Sequence, residues 1–332
     1  MGSTARPYPK TRAAARTVGR PEALRRFGWL KDRLWRQADS LFPVRVPRSW
    51  ADRIEDPDGP LALQALPHPS ELIPDSSDLD DPVGEKNLQP TPWVVQKHPD
   101  RALLLLTRRC HLYCRYCFRR SHDRGPEDPT PEELDAAVDW VVSSGVEEVI
   151  LSGGDPLAVT DRRLFGVLDR LRPSVPVIRI HSRAPITAPE RVTAELVAGL
   201  RERAPLWVLV HANHPRELTA EVREGLRRFV DAGVPVLNQA VLLKGVNDDA
   251  EVLARLSQEL VRLRVFPYYL HHTDHVTGNA HLRVRARRGL ALHAELARRV
   301  SGVALPRYVV DPPDGSGKID VLTALERGIL RD

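Results

Sequence analysis

The sequence predicts an α/β fold in which parallel strands alternate with helices, and three observations predict it. Short apolar runs recur from Arg101 onward, a helical pattern follows each run, and polar clusters sit where the runs end. The runs are ALLLLT (102–107), EEVILSG (147–153), VPVIRIHS (175–182), LWVLVHA (206–212), VPVLNQAVLL (234–243) and FPYYLHH (266–272). A strand covered on both faces reads as such a continuous apolar run. The first helix, PEELDAAVDWVVSSG (131–145), has Pro in its opening turn and Gly at its end. Others are expected over about 161–172, 189–203, 217–232 and 248–263, with a last one near 285–300. This count suits a partial barrel and an open doubly wound sheet alike. In either, ligands collect at the carboxyl ends of the strands.

Residues 1–95 read differently. A helix is predicted from Pro21 to about Leu41, because Leu24, Phe27, Leu30, Leu34 and Leu41 recur at helical intervals. From Pro43 to Pro92 the chain is rich in Pro and Asp, which suits short helices and an extended wrapping segment. With 332 residues and 42% hydrophobic content the chain has material for a substantial core, and a disordered or collagen-like chain is excluded. No run approaches the ~20 apolar residues of a membrane span. The basic N-terminus lacks the apolar stretch of a secretory leader, so a cytoplasmic protein is expected. Lys+Arg 49 against Asp+Glu 44 gives only +5, spread along the chain, so no nucleic-acid partner is expected.

The polar clusters outline one rim: RRCHLYCRYCFRR after the first strand, then SGGDP, HSRAP, HANHP, the NQ within the fifth strand, and HHTD. All three cysteines, Cys110, Cys114 and Cys117, fall in the first cluster as C-x₃-C-x₂-C. An odd number of thiols in a chain this long is no disulfide framework. Three thiolates suit a four-iron cluster with one iron left open for an exchangeable ligand. Zinc and buried structural thiols are the other readings. Zinc sites usually bring two C-x₂-C pairs or spaced histidines, and buried thiols do not suit a loop full of arginines.

C-x₃-C-x-aromatic-C after the first strand of such a repeat resembles the radical S-adenosylmethionine superfamily, which implies a partial (β/α)6 barrel of parallel strands. Tyr116, before the third cysteine, then stands where the family's residue lies against adenine. Ser152, Gly153, Gly154 and Asp155 resemble the segment that receives the methionine ammonium group. Over most of residues 40–320 the resemblance extends to the lysine 2,3-aminomutase family and to the related branch that makes β-lysine for elongation factor P. It is carried by VPRSW, KHPDRALLLLTRRCHLYCRYCFRR, LSGGDPL, IRIHSRAPI, HANHP, LNQAVLLKGVND, PYYLHHTD and DPPDGSGK. On this reading the chain divides into an N-terminal helical and extended wrapping region (1–95), a barrel (96–300) and a C-terminal pyridoxal-phosphate lysine segment (301–332).

The resemblance implies a [4Fe-4S] cluster, S-adenosylmethionine and pyridoxal 5′-phosphate, with Lys318 as the Schiff-base lysine. The same stretch is not a phosphate-binding P-loop, since Pro312 stands where the first glycine belongs and Ile319 is neither Ser nor Thr. By the same match, Lys97 and Arg101 hold the phosphate, Arg119 takes the substrate α-carboxylate, and Asp274 and Asp311 take the lysine ε-ammonium. A turn lysine at Lys318, solvated charges at Lys97 and Arg101, and a capping role for Asp274 are the plain alternatives. His211, His214 and Gln239 either lie near the cofactors or are satisfied buried groups, and His271 matches the elongation-factor branch. The implied reaction moves the α-amino group of lysine to C3, giving β-lysine. A glutamate or ornithine aminomutase and a non-catalytic iron–sulfur module are the other readings. An electron donor such as flavodoxin or ferredoxin and a homodimer are expected, and no zinc, since no cysteine remains beyond the cluster motif.

Overall fold

The computed structural model describes residues 17–121 and 125–330; residues 1–16, with the basic N-terminus read above, lie outside the described residues. β1 (Thr17–Gly19) pairs antiparallel with β2 (Arg45–Pro47). The other strands form one nine-stranded sheet: β3 (Val94–His98), β4 (Arg101–Thr107), β5 (Glu148–Gly153), β6 (Val177–His181), β7 (Trp207–Val210), β8 (Val236–Val241), β9 (Phe266–His271), β10 (Arg307–Val310) and β11 (Ile319–Asp320). Their spatial order is their chain order, with β4 to β10 all parallel and β3 and β11 antiparallel at the two edges.

That order decides between the two architectures. A doubly wound sheet reverses its strand order at a switch point. Here it never reverses, so right-handed crossovers place the helices on one side and the sheet curls as a partial barrel. All six predicted strands form. The C-terminal segment adds a seventh parallel strand, β10, which delivers Asp311 to the rim. Between the antiparallel β10 and β11 the DPPDGSGK stretch is a hairpin loop, not the strand–loop–helix of a P-loop.

The barrel helices begin where a side-chain oxygen accepts an otherwise unpaired backbone N–H. Thr130, Thr160, Thr193, Thr219 and Asp249 cap Pro131–Ser143, Asp161–Leu171, Ala194–Glu202, Ala220–Asp231 and Ala250–Arg262. The predicted helix over 189–203 is consequently split, a short 3-10 turn (Pro189–Arg191) preceding the Thr193 cap.

The expected N-terminal helix is also broken. Arg20–Arg26 is helical, Gly28–Lys31 is a 3-10 turn, and a new helix, Arg33–Leu41, starts at Asp32, whose carboxylate accepts from Leu34 N at 2.9 Å. Phe27 and Leu30 are buried, whereas Leu34 and Leu41 are 50% and 58% exposed, so the apolar stripe does not run through. Val18, Phe27, Val46, Trp50 and Leu61 share one buried cluster with the strands and helices of the barrel. The wrapping region is therefore a wall of the same core. It also holds the cysteine loop: Tyr113 N donates to Arg45 O at 2.9 Å, Arg115 N donates to Gln64 O at 3.0 Å, and fully buried Arg115 pairs with Glu71. Arg120 joins the same Glu71 carboxylate from the other side of the motif.

Candidate active site

The loop after β4 carries the three cysteines, all partly buried and unbridged. Burial, then Cys114, pushes the Cys117 thiol up to about 11, and burial, then Asp155 and the other two cysteines, pushes Cys110 up. Thiolates crowded in this way favour a cationic cluster among them. No group of three His, Cys, Asp or Glu that could hold a single ion exists among the described residues.

Arg183, beyond the end of β6, is the residue sequence reasoning missed here. Its Nη1 donates to Cys114 Sγ at 2.9 Å, Nε to His211 O at 3.2 Å, and Nη2 to Gln64 Oε1 at 2.7 Å and Glu217 Oε2 at 3.3 Å. Burial works against its charge, but Cys114, Tyr116 and Glu217 outweigh burial and raise its pKa. The charge therefore stays on Arg183, beside the Cys114 sulfur. Tyr116 lies on the same network, its hydroxyl accepting from Asn213 Nδ2 at 2.8 Å with its ring 5.3 Å from the Arg183 guanidinium. The signal for Arg183 was its place in HSRAP at a strand end.

The turn after β5 has a different task from the one its sequence suggested. All four acceptor positions of Asp155 are filled from within: Leu157 N (2.9 Å) and Ser182 Oγ (2.7 Å) on Oδ1, and Arg183 N and Ala184 N (both 2.9 Å) on Oδ2. It clips the β5 turn to the β6 turn and has no lone pair left for a ligand ammonium. Gly153 is at φ +116°, and a Cβ there would stand 2.2 Å from Thr107 O; at Gly154 it would stand 2.3 Å from Arg109 O. The two glycines let this turn pack on the backbone that enters the cysteine loop. Ser152 is half-buried at the end of β5.

On the opposite side the structure brings together Lys318, Asp311, Lys97, Asp274, Glu85 and Arg119. Lys318 Nζ donates to Asp311 Oδ2 at 3.0 Å, and Lys97 Nζ to Asp311 Oδ1 at 2.8 Å and Val83 O at 2.6 Å. Burial raises the Asp311 pKa, but Lys318 and Lys97 together hold it below its usual value. Lys97 therefore has a carboxylate partner rather than a free ammonium, and Arg101 pairs with Asp100 at 2.9 Å on the outer side.

Asp274 makes no side-chain hydrogen bond among the described residues, and it caps no helix: the next turn is capped at Asn279. Burial, then Asp311, pushes its pKa up to about 7. Arg119 donates from Nε and Nη2 to both oxygens of Glu85, at 2.9 and 2.6 Å, and from Nη1 to Gly153 O at 2.8 Å. Glu85, in the Pro- and Asp-rich stretch, carried no sequence signal.

Three histidines line the space between these groups. Burial, then Lys318, pushes His271 down to about 3, and burial, then Arg183, lowers His211. Burial, then Arg179 and Lys318, lowers His181, whose Nε2 is buried with no hydrogen-bond partner among the described residues. Gln239 is half-buried with no side-chain hydrogen bond among the described residues. His214 is elsewhere employed, since its Nδ1 caps the next turn by accepting from Arg216 N at 3.0 Å.

A cysteine loop at the carboxyl rim of a partial barrel defines the radical S-adenosylmethionine class, and the Radical SAM superfamily model matches residues 104–256. Its cofactors are a [4Fe-4S] cluster and S-adenosylmethionine. The L-lysine 2,3-aminomutase of Clostridium subterminale is 41% identical over 271 residues, covering 80% of this chain and 65% of that protein. That of Buchnera aphidicola is 35% identical over 289 residues, covering 85% of each. A glutamate 2,3-aminomutase of Clostridioides difficile is 36% identical over 273 residues, covering 81% of this chain and 64% of that protein. The chain belongs to the lysine 2,3-aminomutase family. It spans just under two thirds of the length of the C. subterminale protein.

Proposed function

We propose that the protein is an L-lysine 2,3-aminomutase dependent on a [4Fe-4S] cluster, S-adenosylmethionine and pyridoxal phosphate. The observation that carries the substrate reading is Asp274. A half-buried carboxyl with no side-chain hydrogen bond among the described residues, pushed up to about 7 by burial and then Asp311 although Lys318 and Lys97 oppose the rise, gains from a further cation. The ε-ammonium of lysine supplies one. Glutamate would bring a second carboxylate beside Asp274 and Asp311, a like-charge contact that opposes binding. Ornithine, one methylene shorter, keeps the charge but not the reach.

The residues fit the groups they would hold. Cys110, Cys114 and Cys117 would ligate three irons, with Arg183 neutralising the Cys114 thiolate. Tyr116 and His211, whose hydroxyl and Nε2 lie 3.4 Å apart, would line the space for S-adenosylmethionine, with Gly153 and Gly154 seating the adjoining turn against the cysteine loop. Lys318, 37% exposed in its side chain and reversibly held by Asp311, would carry pyridoxal phosphate. Lys97 and Arg101 would serve the phosphate by exchanging their carboxylate partners for it. When bound, these cofactors supply hydrogen-atom abstraction and return, together with the π-system across which nitrogen moves. Arg119 would orient the α-carboxylate and Asp274 with Asp311 the ε-ammonium, holding the substrate at both ends. The buried neutral histidines and the walls of the barrel exclude water. The reductant is a one-electron donor such as flavodoxin or ferredoxin, in the cytoplasm; among the described residues no helix is long and apolar enough to cross a membrane. His271, where relatives often carry a tyrosine, matches the branch that makes β-lysine for elongation factor P, whereas the segment around Asp311 resembles the free-lysine mutases.

The test is anaerobic reconstitution followed by chiral analysis of products from lysine, glutamate and ornithine. β-Lysine is expected from lysine. Preferential turnover of glutamate or ornithine would replace the substrate reading, and no turnover with intact cofactors would remove the enzyme reading.

A further inference from the structure

We propose that Glu85 is a positioning residue that aims Arg119 at the substrate α-carboxylate. The inference rests on the reading of Arg119 as the carboxylate-binding residue. The guanidinium has five N–H groups in a fixed fork. Glu85 takes the edge formed by Nε and Nη2, at 2.9 and 2.6 Å, and Gly153 O takes one hydrogen of Nη1 at 2.8 Å. One N–H on each of Nη1 and Nη2 is left without a protein acceptor among the described residues. Those two N–H groups are the donors available to a second carboxylate.

Glu85 cannot simply yield its place. It is only 4% exposed, and the turn that carries it is clipped by Asp81, whose carboxylate accepts from Glu85 N at 2.9 Å and Lys86 N at 2.8 Å. Displaced from Arg119, it would be a buried unpaired anion beside Asp274, whose ionisation it already opposes. A substrate carboxylate therefore adds to the pair instead of replacing Glu85. Because the Glu85–Arg119 pair is neutral, it recognises a carboxylate by donor direction more than by net field. The stacked Phe118 ring, 4.7 Å from the guanidinium carbon, sets the plane of the fork.

The experiment compares lysine with 1,5-diaminopentane, which is lysine without its carboxylate, in calorimetric titrations of reconstituted wild-type protein and Glu85→Gln. The expected result is about a tenfold or greater loss of lysine affinity in E85Q with 1,5-diaminopentane unchanged. Glu85→Asp, which keeps the charge but is too short to span Nε and Nη2, gives the same comparison should E85Q lose its fold, monitored by cluster absorbance and melting. Unchanged discrimination in the variants overturns the inference. So does tighter lysine binding, which would make Glu85 a competitor for the site. Wild-type protein that does not prefer lysine over 1,5-diaminopentane overturns the substrate reading, and this inference with it.

Discussion

Replacing Asp274 by Asn should abolish a pH dependence of lysine binding that the wild type shows. In the ligand-free site burial, then Asp311, holds Asp274 at about 7. An ε-ammonium at hydrogen-bond distance favours the ionised form, so in the complex the pKa falls well below 7. The sign follows: lysine binds the deprotonated site, binding releases a proton below pH 7, and affinity rises with pH before levelling above 7. Between pH 6 and pH 8 the apparent affinity should rise about tenfold, roughly 1.4 kcal/mol. His271, pushed down to about 3, does not titrate in that window. Asp274→Asn should bind lysine about 1.5–3 kcal/mol more weakly, roughly 10- to 150-fold, with the pH step gone. Calorimetry at pH 6 in buffers of different ionisation enthalpy counts the proton directly, and about one is expected per lysine bound to wild type. A proton count near zero, or an equal pH step in the variant, would refute the reasoning.

Other sites give sharp expectations. Arg183→Met removes the guanidinium beside buried Glu217, which keeps Gln64 Nε2 and Asn213 N, and should lower stability by about 1–3 kcal/mol, read by denaturation of the apoprotein. Asp155→Asn turns an amide N–H₂ toward backbone donors that the carboxylate now accepts, and should destabilise the β5–β6 rim by about 2–3 kcal/mol, seen as faster amide exchange at Arg183 and Ala184. Gly154→Ala forces a methyl against Arg109 O, and should reduce iron content per chain after reconstitution while leaving far-UV dichroism intact.

The parallel strands were legible as short, largely apolar runs separated by helical patterns, although they are not covered evenly on both faces: in Val177–His181 and Val236–Val241 buried and half-buried residues alternate. β10 was not, since RYVV is only four residues long and follows no clear helix end. The N-terminal helix misled because leucine spacing alone cannot register Asp32, whose cap starts a new helix, nor that Leu34 and Leu41 face solvent. At the site, Cys110, Cys114 and Cys117 could be picked out as candidates from their spacing in one strand-end motif, and Tyr116, Asp274, Asp311 and Lys318 only through the family resemblance. Their partners could not. Gln64, Glu71 and Glu85 come from the wrapping region, and only tertiary packing carries them to Arg183, Arg115 and Arg119. Asp155 shows the converse, since its motif was visible but its four internal donors were not.

The measurement that reaches the centre of this account is the product formed when anaerobically reconstituted protein, carrying cluster and pyridoxal phosphate, is given reductant, S-adenosylmethionine and L-lysine. β-Lysine should accumulate, and Lys318→Ala should form none while its cluster absorbance stays that of wild type. Wild-type protein with both cofactors bound that leaves lysine unchanged, or a Lys318→Ala variant that still converts it, would contradict the account.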